Sequence, residues 1–247
     1  MLVLLSTADT DILAASHAVA ELPEGFGGVR CANPASDPDL GALLAGARVV
    51  LARLLGGRRA WPEGLATLQA RCTRDRIPLV LVGGEAEPDA ELTELSTAPT
   101  AVVAQSFDYL RHGGVENVGE LLRFLADTLL LEGHGFEAPR ALPELGVYVP
   151  GRGDVELEEA LALSDPGRPT VGLVFYRSHR VTGNVAFVDA LAASIEAAGA
   201  NVLCVWAYSL RPDAEGRVPV LERLEGRIDA LITTVLASGG AHAGDAE

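Results

Sequence analysis

The sequence predicts an α/β protein made of two successive α/β units with mostly parallel sheets. Three observations lead to this class. Short apolar runs at residues 2–5, 47–55 and 78–82 alternate with segments of helical spacing. Runs that are nearly continuously apolar are typical of parallel strands buried under helices on both faces. A second series of the same kind begins at Thr170, after a stretch rich in glycine and proline. The pattern favours a flavodoxin-like or periplasmic-binding-like arrangement.

The first unit opens with the strand at residues 2–5. Ser, Thr and Asp residues follow it and introduce a helix that we predict over residues 11–22. Residues 23–38 are rich in Gly, Pro, Asn and Asp, so an irregular segment is predicted there. The strand at residues 47–55 ends in a glycine pair, which indicates a tight exit from the sheet.

A helix is predicted over residues 62–75, because proline is favoured at the first helical position and apolar side chains then recur at helical spacing. The third strand, at residues 78–82, also ends in a glycine pair. The acidic run at residues 85–94 is predicted to be a solvated loop.

The clearest helix of the first unit is predicted over residues 117–132. Asn117 and Glu120 have the spacing of a capping box, and Gly133 is a natural residue to follow the last turn. The region after it is rich in glycine and proline, with only a short strand predicted at residues 147–149.

The second unit begins with an apolar strand at Thr170, followed by a polar loop at residues 176–184 and a helix that stops at Gly199. A further strand is predicted over residues 228–236. It would leave a sheet edge exposed, which proteins normally cover, so we expect the second unit to be incomplete and the chain to be part of something larger. The predicted organisation is a first unit at 1–140, a linker at 141–169, the start of a second unit at 170–236 and a flexible tail at 237–247.

The composition excludes several classes of function. The net charge of −15 argues against nucleic-acid binding. All 19 cationic side chains are arginines, so a Walker lysine, a Schiff base and a lysine general base are excluded. The 3 cysteines form no C-x-x-C pair and fit a reducing cytosol. No apolar run approaches the roughly 20 residues that span a membrane, and the N-terminus lacks the features of a signal peptide. We therefore expect a cytoplasmic location without membrane contact.

The polar loop at residues 176–184 is the first candidate site, because ligands bind at the carboxyl ends of parallel strands. Arg177 offers fork-shaped donors for carboxylates. Asn184 lies where the next helix opens, and unpaired amides there favour an anion. The alternative is a solvated loop in which Asn184 only caps the helix.

A second candidate site follows the strand at residues 47–55. Arg53, Arg59 and Trp61 cluster at its carboxyl end. A planar ligand could stack on Trp61 and place its carboxylates on the arginines. The alternative is a set of surface arginines, with Trp61 anchoring the helix that follows.

No catalytic or metal-binding motif accompanies these residues. The 5 histidines never stand four apart, and the sequence has no H-E-x-x-H, P-loop, G-x-G-x-x-G or G-x-S-x-G motif. We therefore predict no catalytic residue and no metal site in this segment.

Several strings nevertheless agree, in order, with one known family. They are LLSTADTDI, RLLGGRRAWPEGLATL, LVLVGGEAEPDAELTELST, YLRHGGVENVGELLRFLADTLLLEGHGFEAP and VGLVFYRSHRVTGNVAFVDALAASIEAAGANVL. Together they resemble the amino-terminal region of CobN, the large subunit of aerobic cobaltochelatase, in the CobN/magnesium chelatase H subunit family. The resemblance runs from Leu2 to about residue 236.

The resemblance implies a subunit that binds a corrin-ring precursor, hydrogenobyrinic acid a,c-diamide, and inserts Co²⁺ into it during cobalamin synthesis. It implies that ATP and Mg²⁺ are bound by AAA+ partners of the CobS and CobT type, or by magnesium-chelatase-like equivalents. Family members are several times longer, and their proposed metal-handling residues lie beyond the matched region. We therefore expect this segment alone not to insert metal, and we assign Arg53, Arg59, Trp61, Arg177 and Asn184 to contacts with the ring.

Two other classes of function remain open. The unit that begins at Thr170 also resembles a lobe of periplasmic-binding or repressor ligand domains, which would make the chain a small-molecule sensor. A pure interaction module would bind the motor subunits without binding the ring.

Overall fold

The computed structural model describes residues 1–85, 87–213 and 215–235. The chain divides into two compact units, Met1–Leu142 and a second that begins at Pro143.

The first unit is built on a four-stranded parallel sheet. Its strands are β1 (Leu2–Ser6), β2 (Val29–Ala32), β3 (Val49–Leu54) and β4 (Leu79–Gly83). Their spatial order is β2-β1-β3-β4. The helices are α1 (Asp9–Val19), α2 (Leu40–Leu43), α3 (Pro62–Asp75), α4 (Ala90–Leu95), α5 (Thr100–His112) and α6 (Val115–Leu130).

Both faces of this sheet are covered by helices, as the apolar runs predict. Leu2 and Leu4 pack with α1, α5 and α6 on one face, because successive side chains of a strand point to opposite sides. Val3 and Leu5 pack on the other face, largely against α3. The predicted α/β class is therefore confirmed for the first unit.

Helix α3 has the bounds that its sequence predicts. Pro62 occupies the first turn, and the helix buries Leu65, Leu68 and Cys72 against the sheet. It ends where Arg76 adopts a left-handed conformation. Composition and periodicity agree along this segment, which is why its limits can be read from sequence.

Helix α6 departs from its predicted ends. It begins at Val115 with Gly114 as N-cap, so the expected capping box is wrong. Asn117 is buried within the first turn, and its amide serves a distant segment instead. The helix ends at Leu130, and its C-cap is Leu131 in the left-handed conformation, so it ends two residues earlier than predicted.

Two segments predicted to be irregular contain regular structure. Strand β2 lies within residues 23–38, where it forms a half-buried edge of the sheet. Helix α4 begins within the acidic run at residues 85–94, because Asp89 caps its N-terminus by accepting a hydrogen bond from the Leu92 amide at 3.0 Å. Leu92 is fully buried, so this run is not only a solvated loop.

Gly119 offers a stabilising substitution in α6. A Cβ at this position would lie 3.7 Å from the Cβ of Ala18, which is ordinary van der Waals contact. Gly119→Ala is expected to raise the free energy of unfolding by about 0.5–1 kcal/mol, because glycine is a poor helix former. Urea denaturation would measure the change. The matched control is Gly113→Ala, where a φ of 67° should make alanine destabilising. Equal effects of the two changes would contradict this account.

The second unit is built on a five-stranded mixed sheet in the order β6-β5-β8-β7-β9. Its strands are β5 (Leu145–Val149), β6 (Gly153–Val155), β7 (Thr170–Tyr176), β8 (Asn201–Ala207) and β9 (Ala230–Thr233). Strands β8, β7 and β9 are parallel, whereas β5 runs antiparallel to both of its neighbours. The helices are α7 (Leu157–Ala162), α8 (Arg177–Val181), α9 (Ala186–Ala197) and α10 (Pro219–Leu224).

This sheet also has two packed faces, so the prediction of two α/β units is confirmed. One face buries Phe175 and Trp206 beneath α9, and the other buries Val205 beneath α7 and α10. Helix α9 ends just before Gly199, whose φ is 90°, as predicted. Strand β9 is shorter than predicted, and all four of its residues are exposed at the sheet edge.

The predicted linker at residues 141–169 is wrong in its central part, since β5, β6 and α7 lie within it. Strand β5 is an interior strand of the sheet, between β6 and β8. Glycine there serves close packing: a Cβ on Gly146 would lie 2.4 Å from Cζ2 of Trp206. The predicted tail at 237–247 lies outside the described residues. In the part of the chain that the structure describes, no helix is both long and apolar enough to span a bilayer.

Candidate functional site

In both units the first parallel strand lies between the next two. Strand β1 has β2 and β3 as neighbours, and β7 has β8 and β9. The direction of the connections therefore reverses beside β1 and beside β7, and open α/β sheets bind ligands outside the carboxyl ends of strands at such points. Two segments at the carboxyl ends of strands are therefore candidate sites: the turn after β3, at residues 55–61, and the segment after β7, at residues 176–184. The carboxyl ends of the two sheets at these segments are called the first edge and the second edge.

At the first edge, Arg53 is part of a partly buried polar network. Its guanidinium donates hydrogen bonds to Oδ1 and Oδ2 of Asp11, at 3.0 and 3.2 Å, and to the carbonyl of Leu110 at 3.1 Å. Ser6 Oγ donates to Asp11 Oδ2 at 2.6 Å. Ser6 and Arg53 are register partners on β1 and β3, which explains why Asp11 can bind both. The side chain of Arg53 is only 14% exposed, so this arginine holds the sheet edge together.

Arg59 and Trp61 lie on the turn that follows β3. Arg59 is exposed, whereas its neighbour Arg58 forms an ion pair with Glu91 at 3.0 Å. Trp61 is half-buried at the start of α3, and its indole lies directly on Gly64. A Cβ on Gly64 would come within 1.9 Å of Trp61 Cε2, so only glycine permits this contact. The turn thus combines a guanidinium in solvent with a fixed aromatic ring.

At the second edge, Arg177 begins the short helix α8 and points into the protein. It is buried, and its guanidinium carbon lies 5.0 Å from the centre of the Tyr208 ring. It also donates a hydrogen bond to the carbonyl of Pro143 at 3.4 Å. Burial lowers the pKa of Arg177, although Tyr208 and Glu144 oppose that effect. Tyr208 itself remains 48% exposed.

Asn184 is exposed at the other end of the same segment. Its amide nitrogen Nδ2 lies 3.4 Å from Nδ1 of His179, and its backbone N–H donates to the His179 carbonyl at 2.8 Å. It does not cap α9, whose N-cap is Val185, so the capping role that the alternative gave to Asn184 is wrong. Burial lowers the pKa of His179, which favours the neutral ring beside the amide.

The structure therefore separates the five predicted residues into two sets. Arg59 and Trp61 share one turn of the first unit, with Arg53 inside the same sheet edge. Arg177 and Asn184 share one segment of the second unit, the first buried and the second exposed. Of the five, Arg59 and Asn184 are exposed, Arg53 and Trp61 are partly exposed, and Arg177 is buried.

Sequence reasoning missed Asp154, which orders the second edge. Its Oδ1 accepts hydrogen bonds from Arg180 Nε at 2.7 Å and from Trp206 Nε1 at 3.0 Å. Asp154 lies on β6, within the predicted linker. The signal was present as the G-R-G turn between two short alternating runs, which is typical of a β-hairpin.

Metal and thiol chemistry have little support in the described residues. No group of three or more His, Cys, Asp or Glu side chains there is placed to hold a metal ion. The three cysteines are free, and burial raises the pKa of Cys31 and Cys72 to about 11 and that of Cys204 to about 12. These thiols are therefore protonated at neutral pH and poor nucleophiles.

Comparison with known proteins identifies the family. The family model described as CobN/Magnesium Chelatase matches residues 107–247. The chain belongs to the CobN/magnesium chelatase family. Its relatives include the aerobic cobaltochelatase subunit CobN of Pseudomonas aeruginosa, which is 33% identical over 86% of this chain and 18% of that protein. The magnesium-chelatase H subunit of Rhodobacter capsulatus is 30% identical over 51% of this chain and 11% of that protein.

A solved member of the family has the same fold. The catalytic subunit of cobaltochelatase from Mycobacterium tuberculosis matches with a TM-score of 0.66 and 41% identity, over 97% of this chain and 18% of that chain. The chain thus spans about a fifth of the length of this family member. The similarities favour a chelatase subunit, and the alternative of a small-molecule sensor is not favoured.

Proposed function

We propose that this chain is part of the large subunit of an ATP-dependent cobaltochelatase, a ligase that forms nitrogen–metal bonds. In this proposal the intact enzyme inserts Co²⁺, its substrate, into hydrogenobyrinic acid a,c-diamide during cobalamin biosynthesis. The observation that carries the proposal is the extent of the similarity to CobN, 86% of the chain, against 51% for the magnesium-chelatase protein. That difference supports cobalt over magnesium as the inserted metal.

Metal insertion into a tetrapyrrole requires the ring to be held and distorted while two pyrrolic protons leave and the cation loses water. We assign the holding part to this chain. Arg59 is exposed and presents a planar fork of donors that suits the carboxylates at the ring's edge. Trp61, fixed against Gly64, offers a rigid apolar face beside it. In the second unit, considered by itself, Asn184 would donate an amide N–H to a carboxylate or an amide carbonyl of such a ring.

The two other predicted residues are assigned to positioning. Arg53 is bound to Asp11 and holds the ends of β1 and β3, so it would act on the turn that carries Arg59 rather than on the ring. Arg177 lies against Tyr208 and would fix that half-exposed ring at the second edge. Neither guanidinium needs to leave its partners for this role.

ATP is proposed to bind elsewhere. The chain has no lysine and no P-loop, so it lacks the groups that hold the phosphates in such motors. We assign ATP and Mg²⁺ to AAA+ partner subunits of the CobS and CobT type or to magnesium-chelatase-like equivalents. In keeping with this, we propose a cytoplasmic complex in which this segment alone does not insert metal and supplies neither a catalytic residue nor a resident metal.

Titration calorimetry with the metal-free corrin precursor tests the proposal. Arg59→Ala and Trp61→Ala are each expected to weaken binding roughly tenfold, since a charge-assisted hydrogen bond or a stacking contact is lost. Arg74→Ala is the matched control, because Arg74 is exposed but pairs with Asp75 at the far end of α3. Unchanged heats up to high micromolar ligand would overturn ring binding by this segment. If the chain binds the motor subunits but not the corrin ring, it would instead be an interaction module.

A further inference from the structure

Residues 133–140, called the strap here, follow α6 without forming a helix or strand. The strap turns back along α6, and helix side chains hold its backbone. Asp127 accepts hydrogen bonds from the backbone amides of His134 and Gly135, both at 2.7 Å. Two turns earlier in the helix, Glu120 accepts one from the amide of Glu137 at 2.8 Å.

The far end of the strap is held by Asn117. Its side-chain amide donates to the carbonyl of Arg140 and accepts from the Arg140 backbone N–H, both at 2.9 Å. The same amide also donates to the Gly113 carbonyl at 2.8 Å. Tyr109 on α5 adds a hydrogen bond from its hydroxyl to the Glu137 carbonyl.

Little apolar burial supports this arrangement. Most strap residues are exposed, and the ring contacts are those of Phe136 with Phe124 and of His134 with Phe26, at centroid distances of 5.1 and 4.9 Å. The hydrogen bonds to Asn117, Tyr109 and the His134 amide are part-buried, and those of the Gly135 and Glu137 amides are exposed. Each contributes only a modest net free energy, because folding exchanges bonds to water for bonds within the protein. Segments of this kind open before the core of a protein does.

We propose that the strap is a detachable connection, which docks on α6 or releases from it while the first unit stays folded. When it is docked, the chain leaves the first unit beside Asn117, three residues before Pro143 begins the second unit. When it is released, the chain leaves at Leu131. These two points are separated along α6 by about 21 Å, at about 1.5 Å per residue. Release of the strap therefore turns residues 131–140 into a flexible linker, called the tether here.

The chemistry of Asp127 supports a docked resting state. Partial burial opposes its ionisation, but hydrogen bonds from the amides of His134, Gly135 and Gly133 lower its pKa below the usual value. The carboxylate is thus ionised at neutral pH and accepts through both oxygens. Its place in the last turn of α6 means that the helix dipole disfavours it, so the helix itself gains nothing from this aspartate.

Hydrogen exchange on the 247-residue chain tests the proposal. Asp127→Ala should accelerate exchange at His134 and Gly135 roughly tenfold or more, because their charged acceptor is removed. The amides of β4 should not change. Glu120→Ala should act in the same way on Glu137, and this second variant keeps the test valid if the first does not fold. Asp108→Ala is the matched control, since this exposed carboxylate on α5 lies outside the strap's hydrogen bonds.

Small-angle scattering tests the tether. The Asp127→Ala and Glu120→Ala double variant is expected to have a larger radius of gyration than the native chain, whereas Asp108→Ala is not. Strap amides that exchange together with β4 in every variant would overturn the proposal, because the strap would then open only on unfolding. Faster strap exchange with an unchanged radius of gyration would overturn the shift in exit point.

Discussion

Replacing Asp11 by alanine is expected to lower the free energy of unfolding of the first unit by about 3–5 kcal/mol, which is the usual effect of removing one partner of a buried ion pair. Asp11 is 8% exposed, and Arg53, its partner, is 14% exposed. Without the carboxylate, the guanidinium of Arg53 would remain inside the sheet edge with a backbone carbonyl as its remaining acceptor. Ser6 Oγ would also lose its acceptor.

Urea denaturation followed by circular dichroism measures this effect. Asp9→Ala is the matched control: Asp9 lies in the same helical turn but is exposed, where it accepts a hydrogen bond from Asn33 at 2.7 Å. Asp9→Ala should lower the free energy of unfolding by less than about 1 kcal/mol. Removing both charges, with Asp11→Leu and Arg53→Met, should recover much of the loss. If Asp11→Ala costs no more than Asp9→Ala, the pair does not stabilise the sheet edge.

Gly146→Ala is expected to destabilise the second unit by about 2–3 kcal/mol, through overpacking. Gly146 and Trp206 are register partners on β5 and β8, and the indole covers the glycine. An alanine Cβ would lie 2.4 Å from Cζ2 of the ring. Trp206 cannot easily move aside, because it is 3% exposed and its Nε1 is hydrogen-bonded to Asp154.

A thermal unfolding curve would report this change as a lower Tm. Gly167→Ala provides the control, since a Cβ there meets only Asp165 Oδ1, at 3.3 Å, in an exposed turn. The double variant Gly146→Ala, Trp206→Leu should lose less stability than the two single variants together, because the smaller side chain at residue 206 relieves the clash. Strict additivity would show that the two residues do not compete for space.

The parts of the fold that could be predicted are those in which local signals agree. Strands β1, β3 and β4 are mostly apolar, with Ser6 and Arg53 as the polar residues near the ends of β1 and β3. Helix α3 has both a proline at its start and a buried stripe. Strand β2 was missed because it is a short edge strand whose residues are half-buried or exposed. The apolar residues of such a strand show no regular alternation, and the strand forms because its backbone pairs with β1.

Composition alone was misleading in the region around β5 and β6. A glycine-rich segment indicates a linker only where its glycines pack against nothing. Gly146 instead packs against the indole of Trp206, 60 residues later, where a larger side chain would not fit. In the same way, Asn117 has the spacing of a cap, but it binds Arg140, 23 residues further along the chain. Contacts over such separations in sequence cannot be read from a local pattern.

The position of the candidate edges was predictable, because parallel sheets present their carboxyl ends together. The role of each side chain was not. Arg53 and Arg59 are both arginines close to the end of the same apolar run, so the sequence predicts the same role for each. In the structure Arg53 is hydrogen-bonded to Asp11, 42 residues earlier, whereas Arg59 is exposed. Whether an arginine faces a ligand or a carboxylate depends on what the fold brings beside it.

The two tryptophans of the chain also divide evenly between the units, Trp61 in the first and Trp206 in the second. Their surroundings differ, since Trp61 is half-buried and Trp206 is nearly inaccessible. Each unit therefore carries its own fluorophore. With Trp206→Phe, emission would follow only the first unit, and with Trp61→Phe only the second, so the unfolding of each can be recorded optically in the intact chain.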